Sequence, residues 1–180
     1  MLTSDRMKGP TAAGVSIWLV PTGEVYERFD ALISSLSRRC GTPPFEPHVT
    51  LLGGLSGPEA AVLSRAEQLS GSLAPLEIRP TTAGHRDEYF RCLFVQAEPT
   101  PALVAAHARA AELFERREEP FFPHLSLIYG DLAAEEKERI LDEVGRDLAT
   151  AFDVGELHAV RTEGEVRSWR RLASYPLGRV

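Results

Sequence analysis

A chain of 180 residues with 20 Lys and Arg against 26 Asp and Glu carries a formal net charge of −6, long enough for one sizeable core and of the wrong sign for a module that grips long nucleic acid through its phosphates. Hydrophobic residues at 43% and charged residues at 26% exclude a disordered tail or a fibrous repeat. Two cysteines, Cys40 and Cys92, sit in no CxxC pair, and no run approaches the roughly 18 apolar residues of a membrane helix, so a cytoplasmic, monomeric protein without membrane attachment is expected.

Residues 1–13 are polar and contain Gly9 and Pro10, which predicts a flexible start before a single folded unit over 14–180. Gly14 to Val20 (GVSIWLV) is a short β-branched run ending at Pro21, the pattern of a buried strand rather than of a secretion signal. From Glu24 to about Arg39, Val25, Phe29, Leu32, Ile33 and Leu36 recur at the spacing of one helix face. A segment with Gly41, Pro43, Pro44 and Pro47 breaks that helix, and His48 to Leu52 follows as a strand. Pro58 to Ser70 is predicted as a helix, and Leu76 to Thr82 and Tyr89 to Ala97 as an antiparallel pair of strands joined by a polar loop. Pro101 to Arg117 reads as an Ala-rich helix, His124 to Tyr129 as a strand and Ala133 to Leu148 as a helix. Strands over Val154 to Thr162 and Val166 to Ser174, turning at Glu163-Gly164, complete the chain. Several connections are too short for parallel crossovers, so the expected class is α+β with mainly antiparallel sheet.

The most informative feature is a self-match. FEPHVTLLGG, from Phe45 to Gly54, recurs 76 positions later as FFPHLSLIYG, from Phe121 to Gly130; five of the ten positions are identical and three more are close exchanges. A period this long, present twice, is no solenoid and predicts a duplicated lobe. Side chains alternate faces along a strand, so His48 and Thr50 share one face while Val49 and Leu51 anchor the other, and His124 and Ser126 stand likewise against Leu125 and Leu127. Two such lobes related by a pseudo-two-fold axis form a central groove holding two imidazoles and two hydroxyls. Core packing explains why the apolar pairs recur but not why the open-face His and hydroxyl do. The set suits in-line displacement at a phosphate diester. One imidazole takes the proton of an attacking water, the other protonates the leaving oxygen, and the hydroxyls hold the non-bridging oxygens. Such a scheme needs no metal and no cofactor. It leaves open which histidine is the base.

These segments resemble the two-histidine phosphoesterase superfamily, built on two H-x-[ST]-x motifs, and more narrowly its cyclic phosphodiesterases of the plant and yeast type, in FEPHVTLLGG, the early IWLVP, PHLSLIYGDL and the closing SWRRLASYPLG. The resemblance runs from about Val15 to Leu177. It implies a bilobal fold of duplicated antiparallel sheets with outer helices. It also implies hydrolysis of a cyclic phosphate on a nucleotide ribose, either ADP-ribose 1'',2''-cyclic phosphate to the 1''-phosphate or nucleoside 2',3'-cyclic phosphates to 2'-phosphates. His48 and His124 match the catalytic pair, Thr50 and Ser126 the phosphate-holding hydroxyls, and Tyr129 a tyrosine lying against the substrate, where the first copy has Gly53. The partner implied is a small cyclic-phosphate nucleotide. Plant members carry more cysteines than the two here. The alternatives are an RNA 2',5'-ligase and phosphodiesterase type acting on RNA ends, or a catalytically silent nucleotide-binding module.

The remaining candidates have plainer readings. His85 is expected in a solvated loop, His107 on a packed helix face, and Trp18, Trp169, Tyr89 and Phe90 in the core. His158 has no evident partner. Arg161, Arg167, Arg170 and Arg171 cluster near the C-terminus and read as a solvated face, although a nucleotide's distal phosphate would suit them. Glu46 points away from the His48 face.

Overall fold

The β-branched run after Gly14 forms strand β1, Val15–Leu19, buried along its whole length. Gly14 has a positive φ and a side chain there would strike the Leu55 carbonyl, so only glycine lets the two backbones approach. The computed structural model describes residues 10–117 and 120–178. Most of the predicted flexible start lies outside these residues, and Ala12 exchanges two backbone hydrogen bonds with Gly164.

Helix α1, Gly23–Cys40, buries Phe29, Ile33 and Leu36 on one face and ends at Gly41, whose left-handed φ of 67° puts its N–H on the Ser37 carbonyl. Strand β2 is Val49–Leu55, followed by α2, Glu59–Ser72. After β3, Leu76–Ile78, and β4, Pro80–His85, a 3₁₀ turn at Tyr89–Arg91 leads into β5, Leu93–Ala97. Helix α3, Pro101–Leu113, is capped by the Thr100 hydroxyl on the Leu103 N–H. Strand β6, His124–Ile128, and α4, Ala134–Val144, precede β7, Phe152–Val154, β8, Glu156–Arg161, and β9, Arg170–Pro176.

Seven strands form one antiparallel sheet in the order β4-β5-β6-β2-β1-β8-β9, and β3 pairs with β7 in a small second sheet. The class is α+β, as expected from the short connections. The two copies of the self-match lie on the two central strands, which meet through the pair Val49–Leu125. Each half is a strand, a helix and an antiparallel neighbouring strand, β1-α1-β2 and β5-α3-β6. The helices cross over: α1 packs on β6 and α3 on β2, so each half covers the other half's motif strand. Val49, Leu51, Leu125 and Leu127 are all but fully buried beneath them, the apolar face expected from strand alternation.

Two predicted strands divide. Leu76 to Thr82 splits because Pro80 begins a new strand beside Ala97 while Leu76–Ile78 pairs away with Val154–Phe152; proline has no N–H to carry a ladder through that point. Val154 to Thr162 breaks at Gly155, after which β8 joins β1 and β9. Tyr89–Arg91 is a 3₁₀ turn rather than a strand start. The last two strands are joined not by a tight Glu163-Gly164 turn but by a longer segment holding a second 3₁₀ turn, Val166–Ser168.

Candidate active site

In an antiparallel pair, the residue before one partner lies across from the residue after the other. Centred on Val49–Leu125, this sets His48 opposite Ser126 and Thr50 opposite His124. His48, Thr50, His124 and Tyr129 line one cleft of about 480 Å³, while Ser126, 3% exposed, lies buried behind its wall on the same strand face. The structure thus brings together the residues singled out in the sequence.

Both imidazoles are fixed in the same way. His48 Nδ1 lies 2.6 Å from the Glu46 carbonyl and His124 Nδ1 2.8 Å from the Phe122 carbonyl, two residues upstream in each case. A carbonyl only accepts, so each Nδ1 carries a hydrogen and each Nε2 is the atom free to take or give a proton. His48 Nε2 accepts from the Tyr129 hydroxyl at 3.3 Å. His124 Nε2 has no protein partner among the described residues. Neither does the half-buried Thr50 hydroxyl, while Ser126 Oγ donates weakly to the Phe90 carbonyl at 3.3 Å.

Burial sets the charge states. His48 is 3% exposed, and desolvation drives its pKa down to about 3 against the support of the Glu46 carbonyl, with the charge of His124 lowering it further. His124, half-buried, is lowered mainly by burial and then by Arg91 and Arg86, with Glu88 opposing. Tyr129 is pushed up by burial and stays a hydroxyl. Burial thus favours the neutral form of both imidazoles, and guanidinium groups edge the cleft, an environment in which an arriving phosphate anion stabilises the protonated form of either ring.

The aromatic surround follows the same pseudo-symmetry. Trp18 on β1 sits opposite Thr50, and Phe94 on β5 opposite Ser126. Trp18 stacks flat on His48 with centroids 3.5 Å apart, and Phe94 meets His124 edge-on at 5.5 Å. Phe45 stacks on Tyr129 at 3.9 Å, and its counterpart Phe121 stacks on His107 at 4.0 Å. Gly53, at the place where the second copy has Tyr129, lines the cleft without a ring, and a Cβ there would crowd Ser16 Oγ at 3.3 Å.

Trp18, Trp169 and Phe90, expected in the core, line the cleft, although Trp18 is also buried. His107, expected on a packed helix face, hydrogen-bonds the Leu51 carbonyl at 2.8 Å and lines the cleft too. Arg116, not singled out in the sequence, holds the Gly53 carbonyl at 3.0 Å at its rim. The signal for Trp18 was its register with Thr50, which needs the strand pairing. His85 ends β4 and bonds Glu138 at 2.8 Å, away from the cleft. His158 is buried in β8 with Nε2 3.4 Å from Glu156. The Glu46 carboxylate turns to Arg171 at 2.7 Å while its carbonyl serves His48. Cys40 and Cys92 are free thiols. Among the described residues, no three His, Cys, Asp or Glu side chains converge as metal ligands, and no helix is long and apolar enough to cross a membrane.

The model of one family, described as cyclic phosphodiesterase-like protein, matches residues 13–177. The chain belongs to that family. It is similar to a cyclic phosphodiesterase of Arabidopsis thaliana, 32% identical over 127 residues that span 68% of each chain. It is also similar to a 2',3'-cyclic-nucleotide 3'-phosphodiesterase of Kluyveromyces lactis, 30% identical over 141 residues, 66% of this chain and 65% of that one; the matches thus span about two thirds of these relatives. Among solved structures, E. coli LigT complexed with 3'-AMP superposes with a TM-score of 0.64 over 92% of this chain and 98% of its own, at 16% identity, which speaks for the shared fold. As a member of this family the protein is a phosphodiesterase of the two-histidine type.

Proposed function

We propose that the enzyme opens the cyclic phosphate on a nucleotide ribose, converting nucleoside 2',3'-cyclic phosphates to 2'-phosphates and ADP-ribose 1'',2''-cyclic phosphate to the 1''-phosphate, without a metal. The observation that carries this reading is the matched pair of imidazoles, each with Nδ1 donated to a backbone carbonyl and Nε2 left for proton transfer. The substrate class follows the names of its relatives, a cyclic phosphodiesterase and a 2',3'-cyclic-nucleotide 3'-phosphodiesterase.

Water attacks phosphorus in line with the ribose oxygen that leaves. One Nε2 accepts the water proton, the P–O bond to the leaving oxygen breaks, and the other Nε2 delivers a proton to that oxygen. Thr50 Oγ1, with no partner of its own, and Ser126 Oγ, once its hydrogen turns from the weak bond to the Phe90 carbonyl, donate to the non-bridging oxygens, where charge concentrates. The acid must be protonated when substrate is bound. His48 is more deeply buried and accepts from Tyr129, both of which favour its neutral form, so His48 is the base and the less buried His124 the acid. Phe90 and Trp169, half-buried in the cleft wall, suit the ribose and base.

Chelator-treated protein is to be incubated with a nucleoside 2',3'-cyclic phosphate, ADP-ribose 1'',2''-cyclic phosphate and a 2',5'-linked dinucleotide. Turnover of the cyclic substrates to the 2'- and 1''-phosphates is expected. Hydrolysis of neither, or activity that vanishes with chelator and returns with a divalent metal, would overturn the reading; cleavage of the dinucleotide alone would favour action on RNA ends.

A further inference from the structure

Behind the two tryptophans lies a second pocket of about 450 Å³, which shares Trp18 and Trp169 with the catalytic cleft and is lined on its far side by Arg167, Arg170 and Arg171. In a chain with an acidic surplus, most arginines are held by a carboxylate: Arg39 by Glu143, Arg79 by Glu77, Arg139 by Glu136. Arg171 is held by Glu46. Arg167 and Arg170 have no ion pair or hydrogen bond among the described residues, and the same is true of Arg38, which borders an adjoining hollow of about 400 Å³ with Arg167. Three guanidinium groups without a carboxylate, those of Arg38, Arg167 and Arg170, thus share one corner, and two of them line the pocket beside the cleft. Trp169, which both pockets share, also buries its indole N–H without an acceptor among the described residues, a polar group that an acceptor-rich ligand would satisfy.

We propose that this pocket is a second phosphate subsite. It takes the phosphate on the far side of the nucleotide whose cyclic phosphate lies between His48 and His124, with Trp169 as the wall between the two groups. Arginine's planar fork suits non-bridging phosphate oxygens, and such charge-assisted bonds are stronger than neutral ones. Two substrates supply a phosphate there: a nucleoside diphosphate sugar through its diphosphate, or an RNA end through its last internucleotide linkage. The proposal rests on the cyclic-phosphate reading above and adds a preference for substrates that carry more than the cyclic phosphate.

The double variant Arg167→Gln/Arg170→Gln leaves the catalytic groups and the Arg171–Glu46 pair in place. Its kcat/KM is to be compared with that of the unaltered enzyme on four substrates: a nucleoside 2',3'-cyclic phosphate with a free 5'-hydroxyl, the same with a 5'-phosphate, ADP-ribose 1'',2''-cyclic phosphate, and a dinucleotide ending in a 2',3'-cyclic phosphate. The expected result is an unchanged rate on the first and a loss of about tenfold or more, through KM, on those with a second phosphate. Loss confined to ADP-ribose cyclic phosphate assigns the pocket to a nucleoside diphosphate sugar, and loss confined to the dinucleotide with a 2',3'-cyclic end assigns it to RNA. Equal effects on all four, or none, overturn the subsite. Failure of the unaltered enzyme on every cyclic substrate would instead overturn the reading on which it rests.

Discussion

His48, the proposed base, is also buried, and its burial has a consequence for stability. Unfolded, its imidazole takes up a proton near pH 6.5; folded, it stays neutral down to about pH 3. Between these values the unfolded chain binds the extra proton, so the contribution is fully present above pH 6.5 and is lost as pH falls toward 3, at up to about 1.4 kcal/mol per pH unit. His48→Asn keeps a donor for the Glu46 carbonyl and removes the titration. Denaturant unfolding at pH 7.5 and 4.5 is expected to show that the unaltered protein loses more stability on acidification than the variant; equal losses would contradict the buried neutral state. The residues gathered in the cleft were legible in the sequence unevenly. His48, Thr50, His124 and Ser126 stood out because they recur on the open face of a duplicated strand, where packing does not require them. Trp18, Trp169 and His107 occur once, and a ring in a strand or on a helix reads as core. For Trp18 that reading holds as well, since it is 3% exposed and still forms the floor under His48.

At the scale of elements, hydrophobic periodicity located the four helices and the two motif strands to within a few residues, since each buries a continuous apolar face. It missed the breaks at Pro80 and Gly155, because the alternating pattern runs on through both while the pairing partner changes. It also missed how the loop after β4 is secured. Lys137 on α4 is 2% exposed, and its ammonium donates to the Arg86 carbonyl at 2.9 Å and pairs with Asp87 at 2.7 Å. In the sequence it is one lysine in a charged helix. The loop it holds leads through Glu88 into the 3₁₀ turn that carries Phe90 and Arg91 to the cleft. Lys137→Met, similar in bulk, leaves that carbonyl without its donor and is expected to cost about 1–3 kcal/mol, read as a lower urea midpoint at constant slope. A midpoint matching that of the unaltered protein would show that the loop is held by other contacts.

Over the whole molecule, the 76-residue spacing became two halves of one sheet joined at Val49–Leu125. That the halves exchange helices, α1 onto β6 and α3 onto β2, was not legible, because it depends on how the sheet's covered face is shared rather than on any local pattern. The exchange ties each motif strand to both halves, so neither histidine is presented by one half alone. The net charge of −6 likewise hid a local surplus of unpaired guanidinium groups beside the cleft. In the proposed reaction the two halves supply one acid and one base to a single phosphate. The decisive measurement is the turnover of His48→Asn and His124→Asn on a nucleoside 2',3'-cyclic phosphate and on its analogue with sulfur as the leaving 3' atom, which departs without a proton. Each variant is predicted to lose about 10²- to 10⁴-fold on the oxygen substrate, with His124→Asn recovering most of its rate on the sulfur analogue and His48→Asn recovering none. A near-normal rate for either variant on the oxygen substrate, or no difference between the two on the analogue, would contradict the account.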